Sequence, residues 1–305
     1  MHRFLLQAIF VLLLVGIIPL GCTKHCKKSI KEFPSVSIPK GMTSGAEQVY
    51  LQYHFWDKFD FQDTLLISRL DSTIMFESVV KYISLVGPMN QKPIRQMLEK
   101  ASVSRRMLDY VCGYMEKVVH DPNSPLRSDE LFIPLLKSRL STEYYDEAER
   151  AVFQYDLSKA SNNRIGHVAN DFGFYTLKGT HSSLYKLKTD YTIIFINNPG
   201  CPMCMDLIRD LKEDEFINLL IDNNRLKVLA IYPDEDLTEF KKHVSNMDLR
   251  WINAYDKGCL IDEGNLYNLD AIPALYLLDA SKRVIIKDST SVPEISFVIR
   301  RMEDL

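Results

Sequence analysis

Cys201-Pro202-Met203-Cys204 is the stretch of this sequence whose residue types and spacing most plainly permit chemistry. Two cysteines one helical turn apart can pass through a dithiol and a disulfide state. The thiolate, not the thiol, attacks a disulfide sulfur, so the pair needs a place that favours ionisation. Its neighbours suggest one. A β-branched and aromatic run, Tyr191 to Asn197, precedes it through Asn198-Pro199-Gly200, and an amphipathic segment with Leu207, Ile208 and Leu211 inward follows. Cys201 then falls at a helix start, where unpaired N–H groups and the helix dipole favour a thiolate. Cys204 lies one turn inward, within reach to resolve a mixed disulfide, and Pro202 suits the first turn because its missing N–H is not needed there. Half a zinc site has the same spacing, yet no second such pair exists and the histidines show no complementary spacing. An inert structural disulfide also stays open. A strand-to-helix position with proline beside the first cysteine favours redox activity.

The elements that must hold this pair come from the second half of the chain. Phe172 to Leu177 and Leu184 to Leu187 suggest an introductory hairpin, and Leu226 to Tyr232 a buried strand. A helix from about Leu237 to Val244 follows. Ala274 to Leu278 and Arg283 to Lys287 suggest strands joined at Asp279-Ala280-Ser281-Lys282, and Val292 to Met302 a closing helix. Strand, helix, strand, helix, strand, strand, helix is a mixed-sheet α/β order.

Residues 46–163 read differently, as an all-helical domain. Met75, Phe76, Val79, Val80 and Ile83 share one helical face, as do Met107, Val111, Tyr114, Met115 and Val118. Gly87-Pro88 and Asp121-Pro122-Asn123-Ser124-Pro125 break the helices, and Ser128 is placed to cap another, with Leu131, Leu135 and Leu136 inward. No acid pair, metal-ligand spacing or glycine-rich loop emerges here. Ser161-Asn162-Asn163 marks a linker, and residues 22–45, rich in Lys, Ser and Pro, read as a tether.

With those elements placed, the stretch Tyr191 to Cys204 resembles the strand, loop and active-site helix of thioredoxin-like proteins. Ala271-Ile272-Pro273-Ala274-Leu275-Tyr276-Leu277-Leu278-Asp279 resembles their later proline loop and strand. With the hairpin, the pattern over residues 166–305 is similar to TlpA-like, membrane-anchored extracytoplasmic members. The resemblance implies an α/β thioredoxin-like C-terminal domain, a mixed sheet flanked by helices, preceded by an all-α domain. It also implies a cis peptide at Ile272-Pro273 beside the dithiol, with the Ile272 backbone positioning an extended substrate peptide. The stretch Phe55 to Phe61 and the helices after it resemble an uncharacterised helical domain found ahead of such domains in bacterial lipoproteins, and Trp56 with its aromatic neighbours reads as packing. Two positions depart from the pattern. Phe195 stands where thioredoxin-type reductases often hold a buried acid, and Gly200 replaces the aromatic residue common before the first cysteine.

The amino terminus and the composition set the setting. His2 and Arg3 precede an apolar run from Phe4 to Leu20 that ends in Gly21-Cys22. These are the parts of a secretory leader over residues 1–21, of lipoprotein type, with Cys22 as the lipidated residue. Cleaved secretion and a retained anchor are the alternatives, although the run sits near the lower limit of about 17–25 residues for a span. All three place the body outside the cytoplasm, in the cell envelope facing the periplasm or exterior, where dithiols can be oxidised. A net charge of -3 over 305 residues, without a basic stripe, argues against nucleic acid. No cofactor and no metal is expected. Six cysteines, Cys22, Cys26, Cys112, Cys201, Cys204 and Cys259, do not make a disulfide scaffold. Cys112 reads as core, whereas Cys259 sits in a turn as a surface thiol.

The expectation is a thiol–disulfide oxidoreductase acting on disulfide-containing envelope proteins, with an unknown thiol or disulfide electron partner and the membrane reached by a lipid anchor. A non-catalytic binding or scaffolding lipoprotein on the same fold is the alternative from another class. A peroxiredoxin is disfavoured, because the residues before Cys201 lack the Thr and Pro set which that chemistry needs.

Overall fold

The computed structural model describes residues 30–304, so the expected leader, Cys22 and Cys26 lie outside the described residues. Helices come first: α1 (Ser44–His54), α2 (Leu66–Arg69), α3 (Ser72–Val86), α4 (Gln91–Ala101), α5 (Arg105–Val119), α6 (Asp129–Leu140) and α7 (Glu147–Ser161). Side-chain caps explain where several begin. Asp71, Ser104 and Ser128 each accept an orphan backbone N–H of the first turn, and Asp146 with Glu149 closes a capping box on α7. Their inward faces form one apolar core through Met75, Val79, Ile94, Leu98, Val111, Met115 and Leu131. Two expectations are corrected here. Phe76 is exposed rather than inward, because the buried stripe of α3 runs Met75, Val79, Tyr82, Ile83, Val86. Packing also begins inside the expected tether: Ile30 donates its N–H to Arg69 O at 2.8 Å, and Phe33 stacks on Phe55 at 5.3 Å. Trp56 is buried against Phe33, Phe59 and Tyr82, which makes it core.

A mixed sheet with flanking helices follows. Its strands are β1 (Gly173–Thr176), β2 (His181–Ser183), β3 (Tyr191–Ile196), β4 (Leu226–Tyr232), β5 (Ile252–Tyr255), β6 (Ala274–Leu278) and β7 (Val284–Ser289). The helices are α8 (Pro202–Glu213), α9 (Glu215–Asp222), α10 (Leu237–Val244), α11 (Leu260–Glu263) and α12 (Val292–Met302). The spatial order is β2-β1-β5-β4-β3-β6-β7, with β3, β4 and β5 mutually parallel and the other pairings antiparallel. The expected hairpin exists, but its second arm is His181–Ser183; Leu184–Lys186 is a 3-10 turn that drives Leu184 into the core. β3 is buried along its whole length, as a central strand covered on both faces must be. Ile193 and Phe195 point to the α8, α9 and α12 side, and Ile194 and Ile196 to the other.

The expected linker is a fastened joint. Asn162 and Asn163 donate to Asn265 O and Leu266 O at 2.6 and 2.8 Å. Arg164 makes a two-pronged ion pair with Glu130 at 2.7 and 2.6 Å, and Lys287 of β7 pairs with Asp129 of α6 at 2.7 Å. Polar side chains that looked like linker chemistry are used to satisfy carbonyls between the helices and the sheet.

Candidate active site

β3 ends and α8 begins where the parallel strands present their carboxyl ends. The chain turns between them through Gly200, whose φ of +71° lies in the left-handed region. An added Cβ would meet nothing within 4 Å, so the backbone conformation, not space, favours glycine there. That gives a physical reason for the missing aromatic residue before Cys201.

Cys201 is the N-cap of α8. Its sulfur accepts the N–H of Cys204 at 3.3 Å, and Pro202 occupies the first turn. The sulfur therefore meets one of the orphan donors that make a helix start favourable to anions. Cys201 is half-buried, whereas Cys204 is fully buried on the Phe195 face of the sheet, with Leu207 and Ile208. Burial pushes the Cys204 thiol up to about 12; the N–H of Asn198, 3.5 Å from its sulfur, opposes that rise. The two sulfurs thus have different surroundings, one half-buried on the N–H of Cys204 and one fully buried in apolar packing.

The Ile272–Pro273 peptide is cis, and the Ile272 carbonyl oxygen lies 4.0 Å from the Cys201 sulfur. The fold brings together the four residues Cys201, Cys204, Ile272 and Pro273, although 71 positions separate Cys201 from Ile272. Phe195 is fully buried, with its ring edge-on to Trp251, so no carboxylate occupies that place. Among the described residues no cluster of three or more His, Cys, Asp and Glu is arranged to hold a metal ion.

Sequence reasoning missed two residues here. Asn197, at the end of β3, is buried, and its side-chain N–H groups go to Phe195 O at 2.9 Å and Ile231 O at 3.2 Å. Its side-chain oxygen lies 2.6 Å from Nε2 of His243 in α10. His243 lines a cavity of about 410 Å³ together with Pro199, Cys201, Met205, Glu239 and Lys242. Its signal was the spacing of three from Phe240, which puts a histidine on the inward face of a short helix.

The remaining cysteines stand apart from this arrangement. Cys112 is buried in the helical core, and burial pushes its thiol up to about 12. Cys259 caps α11 with a φ of +50°, and its thiol is raised by burial and then by Asp234, Asp256 and Glu235.

A family model described as thioredoxin-like matches residues 189–284, and one described as a domain of unknown function (DUF5106) matches residues 21–163. A crystal structure of a thioredoxin-like protein from Bacteroides caccae is 35% identical over 90% of this chain and 99% of that one, with a TM-score of 0.84. The chain belongs to the thioredoxin-like family. The C-terminal domain of an uncharacterized protein from Bacteroides fragilis is 43% identical, covering 45% of this chain and 96% of that one at a TM-score of 0.43. The thioredoxin domain of a thiol-disulfide oxidoreductase from Bacteroides vulgatus is 19% identical, covering 46% and 97% at a TM-score of 0.40. No curated protein matches the chain. Membership of the thioredoxin-like family supports a redox role in general. Among the described residues no helix is long and apolar enough to cross a membrane.

Proposed function

We propose that the chain is an extracytoplasmic thiol–disulfide oxidoreductase that exchanges disulfides of envelope proteins through Cys201 and Cys204. One observation carries this reading: Cys201 caps α8 with its sulfur on a backbone N–H, while Cys204 waits one turn behind it in apolar packing. Cys201 attacks a partner disulfide, forming a mixed disulfide and releasing one thiolate. Cys204 then attacks the Cys201 sulfur, closes the intramolecular bond and releases the second thiol. The Ile272–Pro273 backbone beside the attacking sulfur positions the extended partner chain, and a second thiol or disulfide protein returns the pair to its starting state. The apolar run from Phe4 to Leu20 followed by Gly21-Cys22 supports a body held at the envelope membrane through a lipid on Cys22, facing the periplasm or exterior. Palmitate labelling lost in a Cys22→Ser variant tests that anchor.

Trapping tests the chemistry. A Cys204→Ser chain accumulates mixed disulfides with envelope proteins, whereas a Cys201→Ser chain captures none. Equal capture by both variants would contradict the assignment of attacker and resolver.

A further inference from the structure

Phe195 holds the place where a carboxylate would face the buried sulfur, but the half-buried sulfur of Cys201 shares its cavity with an imidazole. The orientation of that imidazole follows from its partner. Both side-chain N–H groups of Asn197 are committed to carbonyls of β3 and β4, so its oxygen is left to face His243. An amide oxygen can only accept, so His243 must donate from Nε2, which leaves Nδ1 as the basic lone pair of the neutral ring. The ring is buried, and burial holds its pKa below the usual imidazole range, so it stands neutral at pH 7.

The groups facing it are few. Asn197 comes from β3 and does not titrate; Cys201 comes from the start of α8. Glu239 and Lys242, from its own helix, also line the cavity, and Lys242 pairs with Glu239 at 2.6 Å. Among the described residues lining the cavity, Cys201 is therefore the titratable group outside an ion pair; its sulfur accepts the Cys204 N–H and lies 4.0 Å from Ile272 O.

We infer that His243, fixed by Asn197, is the proton acceptor for Cys201 and returns that proton to the leaving sulfur of the partner. This rests on the exchange reaction proposed above and assigns its proton traffic. As the Cys201 sulfur bonds to the near sulfur of a substrate disulfide, its proton passes to Nδ1. The substrate S–S bond breaks, and its electron pair goes to the far sulfur, which takes the proton back from the imidazolium. When Cys204 closes the bond to Cys201, the second substrate sulfur leaves with the proton of Cys204. The dithiol is oxidised by two electrons and the substrate disulfide is reduced by two. The Asn197 oxygen faces the Nε2–H throughout, so the imidazolium keeps a dipole aimed at it.

The test is the pH profile of the reaction between the full reduced chain and an aromatic disulfide probe. In the wild type the rate of Cys201 rises along a limb below neutrality set by His243. In a His243→Gln chain that limb is lost and the rate at pH 7 falls about 100-fold, the lower end for general acid–base assistance. Superimposable profiles would overturn the inference. A second measurement needs no variant: the ring resonance of His243 is titrated by NMR in the dithiol and disulfide forms. The midpoint shifts between the two forms if the ring senses the Cys201 proton; identical midpoints would overturn it. A wild-type chain that never reacts with the probe at Cys201 removes the oxidoreductase reading itself. One that reacts normally while both His243 measurements are negative removes only the role of His243.

Discussion

Replacing Cys201 by serine isolates Cys204 and turns its burial into a rate. Burial pushes the Cys204 thiol from 9.0 to about 12, and that cause remains when the smaller contribution from the neighbouring Cys201 is removed. A thiol titrating about three pH units higher has a neutral-pH thiolate fraction about 1000-fold smaller. The more basic thiolate is the better nucleophile, and a Brønsted slope of about 0.4–0.5 returns about 16- to 32-fold. The net deficit is about 30- to 60-fold against a free cysteine, before occlusion of a fully buried sulfur slows it further. The assay follows mixed-disulfide formation at Cys204 with an excess of an aromatic disulfide probe at pH 7. Peptide mass spectrometry separates this site from Cys112 and Cys259, and the same chain in urea supplies the unfolded reference. Native Cys204 should react at least about 30-fold more slowly than unfolded Cys204. Reaction within about threefold would refute the reasoning that apolar packing keeps the resolving sulfur protonated.

Other consequences follow from named contacts. Lys287→Met leaves the half-buried Asp129 without its partner at the joint between helices and sheet, and should cost about 1.5–3 kcal/mol in urea denaturation followed by the buried Trp56 and Trp251; a loss below about 1 kcal/mol would show that the pair is not holding the joint. Gly200→Ala forces a side chain into the left-handed region and should cost about 1–2 kcal/mol while slowing exchange at Cys201; a variant as stable as wild type would contradict the conformational reading. Both buried thiols, Cys112 and Cys204, titrate near 12 when folded and near 9 in the unfolded chain. Their contribution is therefore complete below pH 9 and lost as pH rises toward 12, so denaturation midpoints should fall across that window, and less steeply in a Cys112→Ala chain.

The dithiol was legible because its chemistry is local: two cysteines, a proline and a strand-to-helix change lie within a few positions. The long apolar runs were legible too, so β4, α10 and α12 stand where periodicity put them. What escaped depended on short or distant signals. β5 is four residues long and leaves no pattern of its own, yet it joins the parallel core beside β4. α9 was hidden because Asp214 both ends α8 and caps α9, so no glycine or proline punctuates the break. Asn197 and His243 lie 46 positions apart and meet only when α10 folds over the end of β3. Ile30 and Phe33 looked like tether residues because nothing near them in sequence shows the aromatic cluster they cover.

The central claim is that Cys201 and Cys204 form a working couple, and a redox titration of the full chain tests it most directly. In thiol buffers of defined potential, the two residues should interconvert reversibly with a midpoint between about −270 and −120 mV, the span of exchanging dithiols. A bond that persists below about −300 mV, or a pair that never forms one, would contradict it.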